Sequence, residues 1–251
     1  MATLRYRTAS LSHVGLVRTH NEDSFVAHEQ AGVWAVADGM GGHENGQWAS
    51  STVAQALSER PLAGSLDADV AALADAIQDA NGKIFSTAES QGIRMGSTVV
   101  ALYLNGDSFV CLWAGDSRIY LMRDGVLHRM SRDHTQVEDL VERGLLSREE
   151  AAHHPMSHVL SRAVGVEEVV NLDAVSDTAL PRDVFLLCSD GLTGVVTENE
   201  ISDSLAALSA EAACERLLEM VLARGAPDNV TMVAVACEET TTLTLAPAAA
   251  F

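Results

Sequence analysis

Basic residues are scarce in this chain. Sixteen lysines and arginines face 35 aspartates and glutamates, giving a formal charge of -19 over 251 residues. That balance opposes binding to nucleic acid or to an anionic membrane, and bound cations would offset part of it. Long apolar runs are missing too: none approaches the ~20 residues that span a bilayer. The opening Met1-Ala2-Thr3-Leu4-Arg5-Tyr6-Arg7 has no apolar signal core, so the expected location is the cytoplasm. Cysteine is sparse, and Cys111, Cys188, Cys214 and Cys237 lack the paired spacing of a zinc site, so buried reduced thiols are expected. There is no linker rich in Pro, Gly or Ser, no internal repeat and no charge block. One domain over residues 1–240 is expected, followed by a Thr- and Ala-rich tail at 241–251. With 47% hydrophobic residues and a mean hydropathy of +0.11, a large core is within reach.

Familiar catalytic signatures are also absent. Gly39-Met40-Gly41-Gly42 has no following Gly-Lys-Ser/Thr, and Glu44 occupies the last place of a G-x-G-x-x-G count from Gly39, so it is not a nucleotide cradle. An EF-hand from Asp38 fails because Met40 and Ala49 stand where oxygen ligands are needed. No G-x-S-x-G elbow exists, and no cysteine sits in a phosphate-binding loop, which leaves a covalent nucleophile little support. His134, His153, His154 and His158 form no H-E-x-x-H or closed Cys/His set, and solvated histidines are expected there.

What the chain does have is a repeated construction, an apolar run ending in a carboxylate. Val33-Trp34-Ala35-Val36-Ala37 leads into Asp38-Gly39-Met40-Gly41-Gly42, and the glycines let the chain turn straight after Asp38. Val110 to Gly115 leads into Asp116-Ser117, and Val184 to Ser189 into Asp190-Gly191. The fourth case is reversed, with Asp228-Asn229 preceding Val230 to Ala236. If that last strand runs antiparallel to one of the others, its beginning lies beside their ends, and four carboxylates gather at one edge of the core. Gathered carboxylates raise each other's pKa unless a cation sits among them, so the pattern predicts a metal site.

Between these runs, apolar spacing predicts helices over Gln47–Glu59 and about Asp67–Ser90 as covers for a sheet. Asn105-Gly106 and Asp124-Gly125 are hairpin signals within antiparallel structure spanning residues 97–130. Thr135 with Glu138, Ser147 with Glu150 and Thr197 with Glu200 have capping-box spacing, and a further helix is expected from Ser209 to Arg224. The polar stretch from Asp133 to Gly165 interrupts the β pattern as a surface excursion near a site would. Asn21-Glu22-Asp23 alone reads as a solvated turn, and Arg18 as an ordinary ion pair.

Taken in order, Arg18, Asn21-Glu22-Asp23, Asp38-Gly39-Met40-Gly41-Gly42, Gly96-Ser97-Thr98, Gly115-Asp116-Ser117-Arg118, Ser189-Asp190-Gly191 and Asp228-Asn229-Val230-Thr231 resemble the metal-dependent protein phosphatase family, the protein phosphatase 2C type, in its compact bacterial form. The resemblance covers roughly residues 8–237. It implies an α+β fold, a four-layer α-β-β-α sandwich of two central antiparallel sheets flanked by helices. It implies two Mn²⁺ or Mg²⁺ ions, with Asp38 bridging, Gly39 adding its carbonyl, Asp190 and Asp228 holding one ion, and Glu22 supporting the other through water. Asp116 with Asp190 matches a weaker third-metal site, Arg18 a grip on the substrate phosphate, and residues 133–165 a variable flap. The implied reaction is direct attack of a metal-bridging hydroxide on phosphoserine or phosphothreonine, with Asp38 and Arg18 as catalytic residues. The implied partners are phosphoproteins and a bacterial Ser/Thr kinase whose action the enzyme opposes, with the chain acting as a monomer. Where some family members have a histidine as proton donor this chain has Met40; His43 lies nearby, and a metal-bound water is the default donor. A catalytically silent phosphoprotein binder and a set of plain structural turns are the competing readings.

Overall fold

A computed structural model describes residues 4–42, 44–152 and 154–239. His43, His153 and the tail expected from residue 241 lie outside the described residues. Among the described residues the strands are β1 (Leu4–His13), β2 (Asp23–His28), β3 (Val33–Met40), β4 (Gly96–Ser97), β5 (Val99–Asn105), β6 (Ser108–Ala114), β7 (Arg118–Arg123), β8 (Val126–Arg129), β9 (Asp173–Thr178), β10 (Val184–Cys188) and β11 (Val230–Glu239). The helices are α1 (Glu44–Ser58), α2 (Leu66–Gln91), α3 (Gln136–Glu142), α4 (Arg148–Ala152), α5 (Asp190–Thr193), α6 (Glu198–Ala207) and α7 (Ala210–Ala223). None is long and apolar enough to cross a membrane.

The strands form two antiparallel sheets. One has the order β1-β11-β10-β7-β8, the other β2-β3-β5-β6-β9 with β4 added to the end of β3. Trp34, Val36, Leu102, Phe109, Ile119, Phe185, Leu187, Val233 and Val235 pack between the sheets. Ala35, Ala37, Ala101 and Leu112 face the other way, against Val53 and Leu57 of α1 and Leu73, Ile77 and Ile84 of α2. Leu186, Met232 and Ala234 meet Ile201 of α6 and Leu217 and Val221 of α7 on the opposite outer face. The result is the four-layer α-β-β-α sandwich. Its central strands are buried on both faces, which is why they read as unbroken apolar runs although the sheets are antiparallel. All four cysteines are buried and unpaired, as expected.

Two boundaries differ from the sequence reading. The chain does not turn straight after Asp38, because Gly39 and Met40 pair with Ser97 and Gly96 of β4 and prolong the strand. Helix α1 starts at Glu44, ahead of the expected Gln47, because Glu44-Asn45-Gly46 carries no apolar side chain to mark it. The caps behave as their spacing predicts: Thr135 Oγ1 accepts from the Glu138 N–H at 3.2 Å, while Ser147 with Glu150 and Thr197 with Glu200 bond reciprocally.

The segment from 133 onward does leave the sheets, and it is tied back at its far end. Val164 exchanges backbone hydrogen bonds with Ser97 at 2.8 and 2.9 Å. The buried Asn81 of α2 accepts from the Gly165 N–H at 2.6 Å and donates to the Glu167 and Glu168 carbonyls at 3.0 Å each. One amide therefore holds three backbone groups that no strand or helix satisfies. Replacing Asn81 by Ala strands them at a cost of roughly 1–3 kcal/mol. A urea denaturation midpoint well below wild type is the expected result, and an unchanged midpoint would show that the loop holds itself.

Candidate metal and phosphate site

Strand alternation decides where the site lies. Asp38 follows Trp34 and Val36 on the side of β3 that faces the other sheet, and Ser189 and Thr231 continue the rows of Phe185–Leu187 and Val235–Val233. The seam between the sheets thus turns from apolar to polar at one end. Ser189 is the hub there: its Oγ donates to Asp23 Oδ2 at 2.8 Å and accepts from the Thr231 N–H at 3.0 Å. Asp23 lies opposite Asp38 in the β2–β3 ladder, buried, with Oδ1 lacking a hydrogen-bond partner. Buried and bonded to Ser189, Asp23 does not fit the solvated-turn reading of Asn21-Glu22-Asp23.

Beyond this plug opens a cavity of about 760 Å³. Arg18, Glu22, Asp38, Gly39, Asp116, Asp190 and Asp228 all line it, so the structure brings together every site residue the sequence nominates.

Each arrives by an identifiable route. Because β11 runs antiparallel to β10, its start lies beside the end of β10, which puts Asp228 next to Asp190 at the first position of α5. The following Gly191 is packed so closely that a Cβ there would sit 1.8 Å from the Asn229 carbonyl oxygen. Any side chain would force the two acids apart. Asn229 then braces the loop before β2: its Oδ1 accepts from the Glu22 N–H at 2.8 Å, and its Nδ2 donates to the Val14 and His20 carbonyls at 2.8 and 2.9 Å. That loop carries Arg18 and Glu22. Gly46 in the first turn of α1 forms the wall behind Glu22, since a Cβ there would lie 1.8 Å from Glu22 Oε2 and 2.9 Å from the Gly39 carbonyl oxygen. A carboxylate and a carbonyl are thereby gathered at one place.

Asp116 is set by a second brace. Thr98 Oγ1 accepts from the Asp38 N–H at 3.0 Å and bonds Ser117 Oγ at 2.7 Å, while His134 Nδ1 accepts from the Gly115 N–H at 3.1 Å. His134 was expected to be solvated and is instead buried, its ring parallel to Trp113 and its Nε2 at 3.2 Å from Asp173. Burial lowers its pKa, against the pull of Asp173. Trp113 and Asp173 are remote from it in sequence, so spacing alone gives no sign of the pocket they form. Asn229, Ser189, Thr98 and His134 are the positioning residues that sequence reasoning left without a role. Met40 also lines the cavity and has no proton to give; among the described residues His158 is the one histidine there.

The electrostatics are those of acids crowded together. Asp38 is pushed well above the usual carboxylate range, first by lost hydration and then by Asp23, Asp190, Asp116 and Asp228. Burial, followed by repulsion from Asp190, pushes Asp116 up to about 7, and burial pushes Asp23 up to about 7 against its bond from Ser189. Asp190 is raised by burial and then by Asp228. Arg18 offsets one charge through a 2.7 Å bond to Asp228 Oδ2, which raises its own pKa. An all-oxygen donor set with this much unbalanced negative charge suits a hard divalent cation. Among the described residues no three acidic, His or Cys side chains close tightly enough around one point to enclose an ion by themselves. Such a set fits ions that keep part of their water, as Mg²⁺ does.

The result is an acidic cavity suited to divalent cations at the end of a two-sheet sandwich, lined also by the exposed Arg18. A family model, Protein phosphatase 2C, matches residues 5–230. The chain is 39% identical over 238 residues to the serine/threonine protein phosphatase PstP of Mycobacterium tuberculosis, covering 92% of this chain and 45% of that protein. It therefore spans a little under half the length of that relative. It is 35% identical over 231 residues to the serine/threonine phosphatase stp of Listeria welshimeri, covering 88% of this chain and 92% of that one. Among solved structures, one described as PppA, a key regulatory component of T6SS in Pseudomonas aeruginosa, superposes with a TM-score of 0.88 at 42% identity, covering 94% of this chain and 100% of that chain. The catalytic domain of PstP in complex with two manganese ions superposes with a TM-score of 0.84 at 36% identity, covering 94% of this chain and 100% of that one. The chain belongs to the protein phosphatase 2C family.

The raised carboxyl pKa values have a consequence for stability. Asp23 and Asp116 hold protons more tightly folded than unfolded, so their contribution is complete below about pH 4 and is lost as pH rises through about 7. With a chelator present, the urea midpoint should fall between pH 5 and pH 8, and Mn²⁺ added at pH 8 should raise it again. A midpoint that rises with pH under chelation would contradict the crowding of these acids.

Proposed function

We propose that this chain is a metal-dependent serine/threonine protein phosphatase that removes phosphate from phosphoserine and phosphothreonine. The observation that carries the reading is the convergence of Glu22, Asp38, Gly39, Asp116, Asp190 and Asp228 on one cavity with Arg18 at its edge. We assign Asp38 and the Gly39 carbonyl beside it as groups that would hold two Mn²⁺ or Mg²⁺ ions, Asp38 serving both. Asp190 and Asp228 would hold one ion, Glu22 would support the other, and Asp116 with Asp190 would take a weaker third. When bound, such ions supply an activated water and neutralise charge on a phosphoryl oxygen.

The chain's own residues do the rest. Arg18, whose side chain is exposed, is bonded to Asp228 and can turn the same guanidinium to a phosphate dianion by a bidentate contact. Were Asp228 to share its charge with a bound cation, Arg18 would be freer to face the substrate phosphate. Gly46 and Asn229 keep Glu22 facing the cavity, and Thr98 keeps Asp38 in register. Aligning phosphate and water in this way is the main service a protein renders in phosphoryl transfer.

Residues 1–240 form the catalytic domain in this reading, with the flap at 133–165 and a tail at 241–251. The enzyme acts in the cytoplasm as a monomer on phosphoproteins, opposing a Ser/Thr kinase. The likeness to PppA, described as a key regulatory component of T6SS, favours a regulatory setting.

The test is hydrolysis of p-nitrophenyl phosphate with Mn²⁺ added. Asp38→Ala and Asp190→Ala should each lower kcat at least 10²-fold while the circular dichroism spectrum is unchanged. Arg18→Ala should lower kcat/KM by roughly 10–100-fold, the loss expected when one charge-assisted phosphate contact is removed. Activity that survives both aspartate changes and chelation would refute the reading.

A further inference from the structure

The cavity has two unlike walls. One carries the carboxylates and Arg18; the other is built from the end of the flap and the loop after it, including Val159, Val166, Val169 and Val170. Val166 and Val169 are 51% and 59% exposed. Apolar side chains on a mobile loop would need no explanation, but this loop is anchored. Asn81 fixes the backbone at Gly165, Glu167 and Glu168, and Gln78 bonds both the N–H and the carbonyl of Val170. Val166 and Val169 therefore stand on a fixed ledge lining the same cavity.

Resting on the phosphatase reading, we propose that this ledge receives an aliphatic side chain next to the phosphorylated residue. The substrates are then phosphoserine or phosphothreonine segments with an apolar neighbour and no acidic one. Size supports this: about 760 Å³ is the volume of a sphere about 11 Å across, the reach of about three extended residues. Charge supports it as well. Glu167, on the ledge itself and not among the residues assigned to the ions, repels an acidic flank. The second lining arginine, Arg162, is occupied by Asp173 at 2.7 Å.

The experiment uses the full chain with saturating Mn²⁺ and phosphothreonine peptides that are identical except for Leu, Ser or Asp at the residue directly before or directly after the phosphothreonine. The expected kcat/KM falls about tenfold from Leu to Ser and further to Asp, the discrimination a partly buried aliphatic side chain supplies. Val169→Arg should erase the preference for Leu over Asp. Equal kcat/KM across the series, or a preference for Asp, overturns the inference while continued hydrolysis of p-nitrophenyl phosphate leaves the phosphatase reading standing. Failure to hydrolyse any of these esters overturns both. Dimers in sedimentation that disappear in Val169→Arg would assign the ledge to a second copy of the chain and overturn it too.

Discussion

The structure depends on acids held against their own repulsion at the end of a sandwich seam. Asp38, Asp190, Asp116 and Asp23 are deprived of water and raise one another's pKa, so the fold spends stability to keep them together. Only packing elsewhere can sustain that. The interior between the sheets, with Trp34, Phe109 and Phe185 at its centre, and the two helical covers supply it. On the proposed reading, a divalent cation would turn the same repulsion into attraction.

The arrangement also explains why so many small polar residues surround the acids. Backbone groups at the ends of strands have no ladder partners, and they must be satisfied without filling the cavity. Asn229, Ser189, Thr98 and Asn81 each bond two or three groups from distant parts of the chain. Gly46 and Gly191 make the complementary contribution, since any side chain at either position would collide with the groups being gathered. Cavity, brace and glycine are one construction, and the flap joins it through His134 on one side and Asn81 on the other.

Much of this was legible in the sequence, for a physical reason. A strand buried on both faces must be apolar throughout, so a carboxylate at its end stands out, as at Val36-Ala37-Asp38 and Leu187-Cys188-Ser189-Asp190. Local signals such as the Thr197–Glu200 cap and the hairpin glycines depend only on neighbours and were read correctly. What escaped depends on contacts across the chain. His134 resembled its solvated neighbours because nothing nearby announces Trp113 or Asp173, and Asp23 looked like a turn residue because its partner Ser189 is 166 positions away. The extension of β3 past Asp38 was hidden for the same reason, its partner being the two-residue β4.

The central claim is that these carboxylates exist to hold divalent ions, and the most direct measurement is anomalous diffraction at the manganese edge from crystals grown with Mn²⁺. Two strong peaks in the cavity, both in contact with Asp38, are what the account predicts. A map without a peak there, from a well-ordered Asp38 and Asp190, would contradict it.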